Sequence, residues 1–156
     1  VKRAIILIIL AIILSGLHAQ SGLFRLSYDQ SVAAADSILR SNNMIPKAMV
    51  SNKIEYVESK GKYLENMILF VKPGANTIIG WSIKYRKTNT AEMDSIILNT
   101  LVALHGDKNH YDEATDQLIW FLTDVRSVHV MYSEDQEMII LYYDSFYDKQ
   151  FKKDGQ

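Results

Sequence analysis

The stretch HGDKNHYDEATD, residues 105–116, gathers two histidines and four carboxylates into twelve positions. Imidazoles and carboxylates ligate metal ions and move protons near neutral pH, so both chemistries have to be weighed here. His105 and His110 are separated by a helix end and a loop, and this spacing does not set two imidazoles on one helical face. Read as a calcium loop from Asp107, the stretch lacks the central glycine and has Leu118 where the twelfth-position glutamate belongs. His105 suits the last turn of a helix, where a cation is favoured by the negative end of the macrodipole, and Gly106 suits the stop. The remainder reads as a polar loop between a helix and a strand. On these grounds no catalytic residue, metal ligand or cofactor is assigned. An exported hydrolase or metal-binding protein centred on residues 105–116 is the alternative reading.

Other reactive signatures are missing from the sequence. There is no G-x-S-x-G elbow, no glycine-rich phosphate loop and no S-x-x-K, S-D-N and K-T-G set of the penicillin-binding kind. The absence of cysteine removes thiol nucleophiles, thiolate metal sites and disulfides. His129 falls in a strand, where a structural or surface role is the default, and Glu134, Asp135 and Glu137 read as a solvated hairpin tip.

The elements that must position these residues follow from periodicity. SYDQSVAAADSILRSNN opens with Ser27 and Gln30 at capping-box spacing, and Tyr28, Val32, Ala35 and Leu39 recur at helical intervals. The helix should end near Asn42 or Asn43, ahead of Pro46. Then NKIEYVES, KYLENMILFVK and NTIIGWSIKYR, rich in β-branched and aromatic residues and separated by SKGK and KPGAN, predict a three-stranded meander. The scheme repeats. Asn89 or Thr90 caps a helix whose apolar stripe runs through Met93, Ile96, Ile97, Leu101 and Leu104 to a stop at Gly106. DQLIWFL, SVHVMYS and EMIILYYDS supply three further strands.

The expected fold is therefore α+β: two αβββ units, residues 27–86 and 89–147, forming a mainly antiparallel sheet with two helices packed on one face. A shift of 58 residues lays Asp36, Ser37 and Ile38 on Asp94, Ser95 and Ile96, and Tyr85 on Tyr143, which suggests an internal duplication. Several strands, DQLIWFL and EMIILYYDS among them, are apolar on both sides. Two helices of roughly four turns cover one face of such a sheet but hardly two. Apolar surface should then remain on the far face, where large exposed patches serve interaction, unless loops, a partner or a second copy cover it. The competing reading is a strongly curled sheet that buries both faces by itself. Trp120, Met131, Tyr132 and Tyr142 are the candidate binding residues.

Length and composition fit this picture. The 156 residues, 48% hydrophobic and 22% charged, suit one globular domain, and a net charge of −1 gives no basic footprint for nucleic acid. Lys2 and Arg3 precede an unbroken apolar run from Ala4 to Leu14, and Leu17 and Ala19 fit the −3 and −1 positions of a secretory cleavage site. Cleavage before Gln20 would leave residues 20–156 as a single domain with 15 basic and 18 acidic residues, a net charge of −3. A bacterial periplasmic or secreted location without stable membrane insertion is expected. The partner would be another envelope or extracellular protein, or a second copy of the chain.

The stretch from Ile97 to Ser145 resembles a pattern of small exported bacterial proteins: a helix ending in His-Gly, a polar loop, a strand carrying Trp, and a hairpin finishing in tyrosines. The doubled layout is similar to that of β-lactamase-inhibitor-like proteins, and more loosely to outer-membrane assembly lipoproteins of the SmpA/OmlA type. This chain departs from both in lacking cysteine. The resemblance implies a protein-binding fold and carries over no functional residue.

Overall fold

The structure, a computed structural model, describes residues 21–152; the expected signal segment, residues 1–19, lies outside them. Helix α1 (Val32–Ser41) is followed by β1 (Met44–Val50), β2 (Lys53–Glu58), β3 (Leu64–Val71) and β4 (Ile78–Tyr85). Helix α2 (Ala91–His105) is followed by β5 (His110–Asp112), β6 (Gln117–Phe121), β7 (Arg126–Tyr132) and β8 (Met138–Asp144). A 3₁₀ turn (Ser145–Tyr147) and a one-turn helix α3 (Asp148–Phe151) close the described chain. All eight strands join one antiparallel sheet in the order β1-β2-β3-β4-β8-β7-β6-β5. Each unit thus places its last strand at the centre and its first at an edge.

The repeat is helix-then-four-strands, one strand longer in each unit than the sequence predicts. Both additional strands are edges. β1 contains Pro46, which cannot donate to a ladder, and its register shifts between Pro46 and Ala48. β5 is three residues long and mostly exposed. Edge strands bury neither face fully, so neither carries the apolar alternation by which a strand is recognised.

Helix α1 begins one turn later than its sequence suggests. The Ser27 N–H does donate to Gln30 Oε1, 2.9 Å away, as a capping box requires. Asp29, however, is left-handed with φ 64°. Residues 29–32 pair instead with the entry to β4: the Asp29 N–H donates to the Ile78 carbonyl, the Ile78 N–H to Gln30, and the Val32 N–H to Asn76. The helix then starts under Ser31, whose side chain accepts from the Ala34 N–H. Helix α2 starts under Thr90, whose hydroxyl accepts from the Met93 N–H, and stops at Gly106, where φ is 86°.

Cross-strand registers show which residues share a face. The row Ile54–Leu69–Trp81–Tyr142–Val128–Trp120 and the row Tyr56–Met67–Ile83–Ile140–Val130–Leu118 run across the sheet on the side of the helices. Most of these residues are buried, together with Ala35 and Leu39 of α1 and Ile97 and Leu101 of α2. Hydrogen bonds tie both helices to this face, from Tyr56 Oη to Asp36 (2.8 Å) and from Tyr132 Oη to Asp94 (3.0 Å). The equivalence of Asp36 with Asp94 therefore has a structural counterpart: each helix offers one carboxylate to a sheet tyrosine. That of Tyr85 with Tyr143 does not. Tyr85 lies in the core on the helix side, whereas Tyr143 points to the opposite face, because a one-residue offset along a strand reverses side-chain direction.

Candidate functional site

The sheet face away from the helices carries the row Glu55–Ile68–Ser82–Leu141–His129–Ile119, flanked by Lys84, Ile139 and Met131. The chain covers one corner of this face. After β8 it turns through Ser145–Phe151 and lays Phe151 against Phe70, with ring centroids 4.4 Å apart, and against Tyr143 at 4.9 Å. The fit depends on Gly80, where a Cβ would come within 2.9 Å of the Phe151 ring and 2.2 Å of the Tyr142 carbonyl oxygen. Asn52 to Gln150 and Lys53 to the Lys152 carbonyl fasten the turn at 3.3 and 2.8 Å. Phe70 is buried beneath it. Ile68, Leu141, Ile139 and Met131 remain half-buried, and Phe121 stands 70% exposed at the end of β6.

A polar chain is set into this apolar surface. Ser127 and His129, two residues apart on β7, point to the same side, and Ser127 Oγ lies 2.8 Å from His129 Nε2. His129 Nδ1 lies 2.8 Å from Gln117 Oε1 on β6. Oε1 can only accept, so Nδ1 carries the proton and Nε2 accepts from the serine hydroxyl. Burial pushes the His129 imidazolium pKa down, which keeps the ring neutral near pH 7. The Tyr143 ring meets His129 edge-on at 5.7 Å, and its hydroxyl donates to Asp148 at 2.6 Å. Burial, and then that hydrogen bond, hold the Tyr143 pKa up at about 12. A cavity of about 230 Å³ opens over Ser127, His129 and Tyr143, bordered by Phe121 and Val125.

A hydroxyl oriented by a neutral imidazole has two parts of an acyl-transfer centre. The third part is a pair of donors aimed at a developing oxyanion. The nearest loop donors, the N–H groups of Val125 and Arg126, are both spent on Thr123 Oγ1. The Ser127–His129–Gln117 chain is suited instead to holding three polar side chains in fixed positions among apolar neighbours.

Comparison with protein-family models, with curated proteins and with solved structures returns no match. Site assignment therefore rests on the geometry.

The four residues chosen from the sequence as a binding surface do not lie together. Trp120 is 1% exposed beneath the helices, where its Nε1–H donates to the Gly106 carbonyl at 2.9 Å. Tyr142 is fully buried there, stacked on Trp81. Tyr132 shares their side of the sheet but stands at its margin, 47% exposed and bonded to Asp94. Only Met131 is on the far face. Met131 and Tyr132 are consecutive on one strand and so point to opposite faces, a constraint already available in the sequence. Applied from Met131 through the registers, the same parity selects His129, Leu141, Ile139 and Phe121.

The residues of the 105–116 stretch also separate. His105 turns inward, with Nε2 3.0 Å from Tyr142 Oη, and burial pushes its pKa down. It is thus a neutral hydrogen-bonding group in place of the cation expected at this helix end. His110 is exposed on β5. Asp112 accepts from the Ala114 N–H and from Thr115 Oγ1, and Tyr111 Oη donates to Asp116 at 2.5 Å. Among the described residues no three histidine, aspartate or glutamate side chains converge to hold a metal ion.

Proposed function

We propose that the chain is a non-catalytic binding module, acting outside the cytoplasm, that engages a protein partner through the uncovered part of its far sheet face. One observation carries this reading. Helices cover most of one face and the C-terminal turn covers a corner of the other, leaving Ile139, Leu141 and Met131 half-buried in the open part and Phe121 exposed on the same face at the end of β6. Apolar residues on a rigid sheet form a preorganised surface that loses little entropy on binding. The fixed polar chain of Ser127, His129 and Gln117, and the Lys84–Glu137 ion pair (2.5 Å), provide orientation at its borders. The inhibitor-like layout noted above is in keeping with a protein partner. The apolar segment of residues 4–14 behind Lys2 and Arg3 supports export. Among the described residues no helix is long and apolar enough to cross a membrane.

The test is photo-crosslinking in the native cells, with a benzophenone amino acid in place of Met131 or, as control, of Ile96 on the helix layer. One defined adduct from position 131, lost when Leu141→Glu is added, is the expected result. Equal adducts from both positions, or an adduct indifferent to Leu141→Glu, would remove the far face from the argument.

A further inference from the structure

A second feature lies on the opposite side of the molecule, between the two helices. An open groove of about 650 Å³ runs there, with Ile38, Ser41 and Asn42 of α1 on one wall and Ile96, Ile97 and Thr100 of α2 on the other. Tyr85 lies along it, and Leu23, Phe24 and Arg25 close one end. Its size is within the ordinary range for small-molecule sites.

The polar groups of the walls are mostly satisfied. Ser41 Oγ and Asn42 Nδ2 donate to the Ile38 carbonyl at the end of α1, and Thr100 Oγ1 donates to Ile96. Two groups remain. Tyr85 is 8% exposed, and among the described residues its hydroxyl has no hydrogen-bond partner; burial alone pushes its pKa up to about 12. Its ring is buried but its oxygen is not sealed from solvent, so the hydroxyl opens onto the groove and is available to a ligand there. Arg25 is exposed and, among the described residues, pairs with no carboxylate.

The end wall is held in a costly conformation. Phe24 and Arg25 are consecutive non-glycine residues with φ of 63° and 61°, in the left-handed region. The turn persists because the Gly22 N–H donates to the Leu26 carbonyl, the Arg25 N–H to Gly22, and the Leu23 N–H to Tyr142 Oη at 2.9 Å. Strain held in this way gathers at functional positions. Here it sets an aromatic ring and a cation on the border of the groove.

We propose that the interhelical groove binds a small monocarboxylate with an aliphatic body, the Tyr85 hydroxyl and the Arg25 guanidinium donating to the carboxylate and Leu23, Phe24, Ile38, Ile96 and Ile97 enclosing the chain. The ligand class follows from the inventory. Tyr85 can donate one hydrogen bond, Arg25 donates and carries charge, and Leu23, Phe24, Ile38, Ile96 and Ile97 supply apolar lining beside Ser41, Asn42 and Thr100, whose donors are spent within the helices. An anion with two acceptor oxygens and an apolar body matches all three. The site is independent of the far-face interaction, because the sheet lies between them.

The test uses the whole protein and decanoate, well below its micellar concentration, in isothermal titration calorimetry, with decanol as the uncharged comparison. Saturable decanoate binding is expected, weakened roughly ten-fold by Tyr85→Phe, the loss of one hydrogen bond to a charged group. Arg25→Gln should remove the preference over decanol. Tyr85→Phe should melt no lower than the parent without ligand, since its hydroxyl bonds to nothing in the folded chain, so weakened binding is separable from misfolding. The proposal is overturned if decanoate gives no saturable heat, if decanol binds equally, or if both substitutions leave binding unchanged. The second and third outcomes would mark the groove as an apolar docking cleft for another segment or a second copy.

Discussion

Trp81 and Tyr142 face each other across the seam between the two halves, their rings stacked with centroids 4.1 Å apart and planes 14° from parallel. Tyr28 closes on Trp81 at 5.2 Å. Gly22 lies over the pair, and a Cβ there would come within 2.3 Å of Tyr142 and 2.7 Å of Trp81. Both rings are fully buried and have nowhere to retreat. Gly22→Ala should therefore cost about 1–3 kcal/mol of stability as overpacking, measured by urea denaturation. A loss below a few tenths would show that the lead-in segment lifts away freely.

The same tyrosine joins three segments by its hydroxyl, accepting from the Leu23 N–H and meeting His105 Nε2 at 3.0 Å. Tyr142→Phe keeps the stacking but leaves both groups without this partner. A loss of about 1–3 kcal/mol is expected. Faster hydrogen exchange at the Leu23 amide, with the β7 and β8 amides unchanged, would place the loss in the lead-in.

Gly80 should be among the least tolerant positions. Its Cβ would come within 2.2 Å of the Tyr142 carbonyl oxygen, which belongs to the β8 backbone and cannot move without disturbing the central strand pairing. Gly80→Ala should destabilise more than Phe151→Ala, which removes only the covering ring. Equal effects in thermal melts would mean that the clash is relieved by displacing the turn.

Arg126 sits over the Tyr28 ring at 4.6 Å and bonds both Asp144 (3.1 Å) and Asp29 (2.5 Å). The Asp144 side chain is 3% exposed, so removing the guanidinium strands a buried carboxylate. Arg126→Gln should lose about 3–5 kcal/mol. Asp29→Asn, at the exposed end of the cluster, should lose under about 1 kcal/mol. Denaturation of the two variants side by side checks the contrast.

Stability should fall on mild acidification. Burial lowers the pKa of both His105 and His129. The unfolded chain therefore takes up protons first, near the ordinary histidine value of about 6.5. Their contribution is complete above that pH and is lost as pH falls through the lower folded values. His105→Gln and His129→Gln should each flatten the decline between pH 7 and 5 in urea titrations. An unchanged slope in both variants would rule the histidines out as its source.

The amino-acid sequence by itself determined the composition of the layers. Helical spacing in the first and second helices, the Asn89-or-Thr90 cap and Gly106 stop of the second, and six runs of β-branched and aromatic residues are local patterns, and local sterics and hydrogen bonding suffice to produce them. The start of the first helix at Ser31 instead of Ser27 was decided by the pairing of residues 29–32 with Asn76 and Ile78. What the tertiary structure decided is how the halves join and which face each residue serves. β1 and β5 exist because a neighbouring strand offers hydrogen bonds, not because Pro46 or His110–Asp112 favour extension. Trp120 and Tyr142 lie inside, and His129, Leu141 and Met131 face outward, because the inter-strand register fixes direction and a single-residue offset reverses it. The groove over Tyr85 exists only where two helices distant in sequence lie side by side, a separation no local pattern encodes.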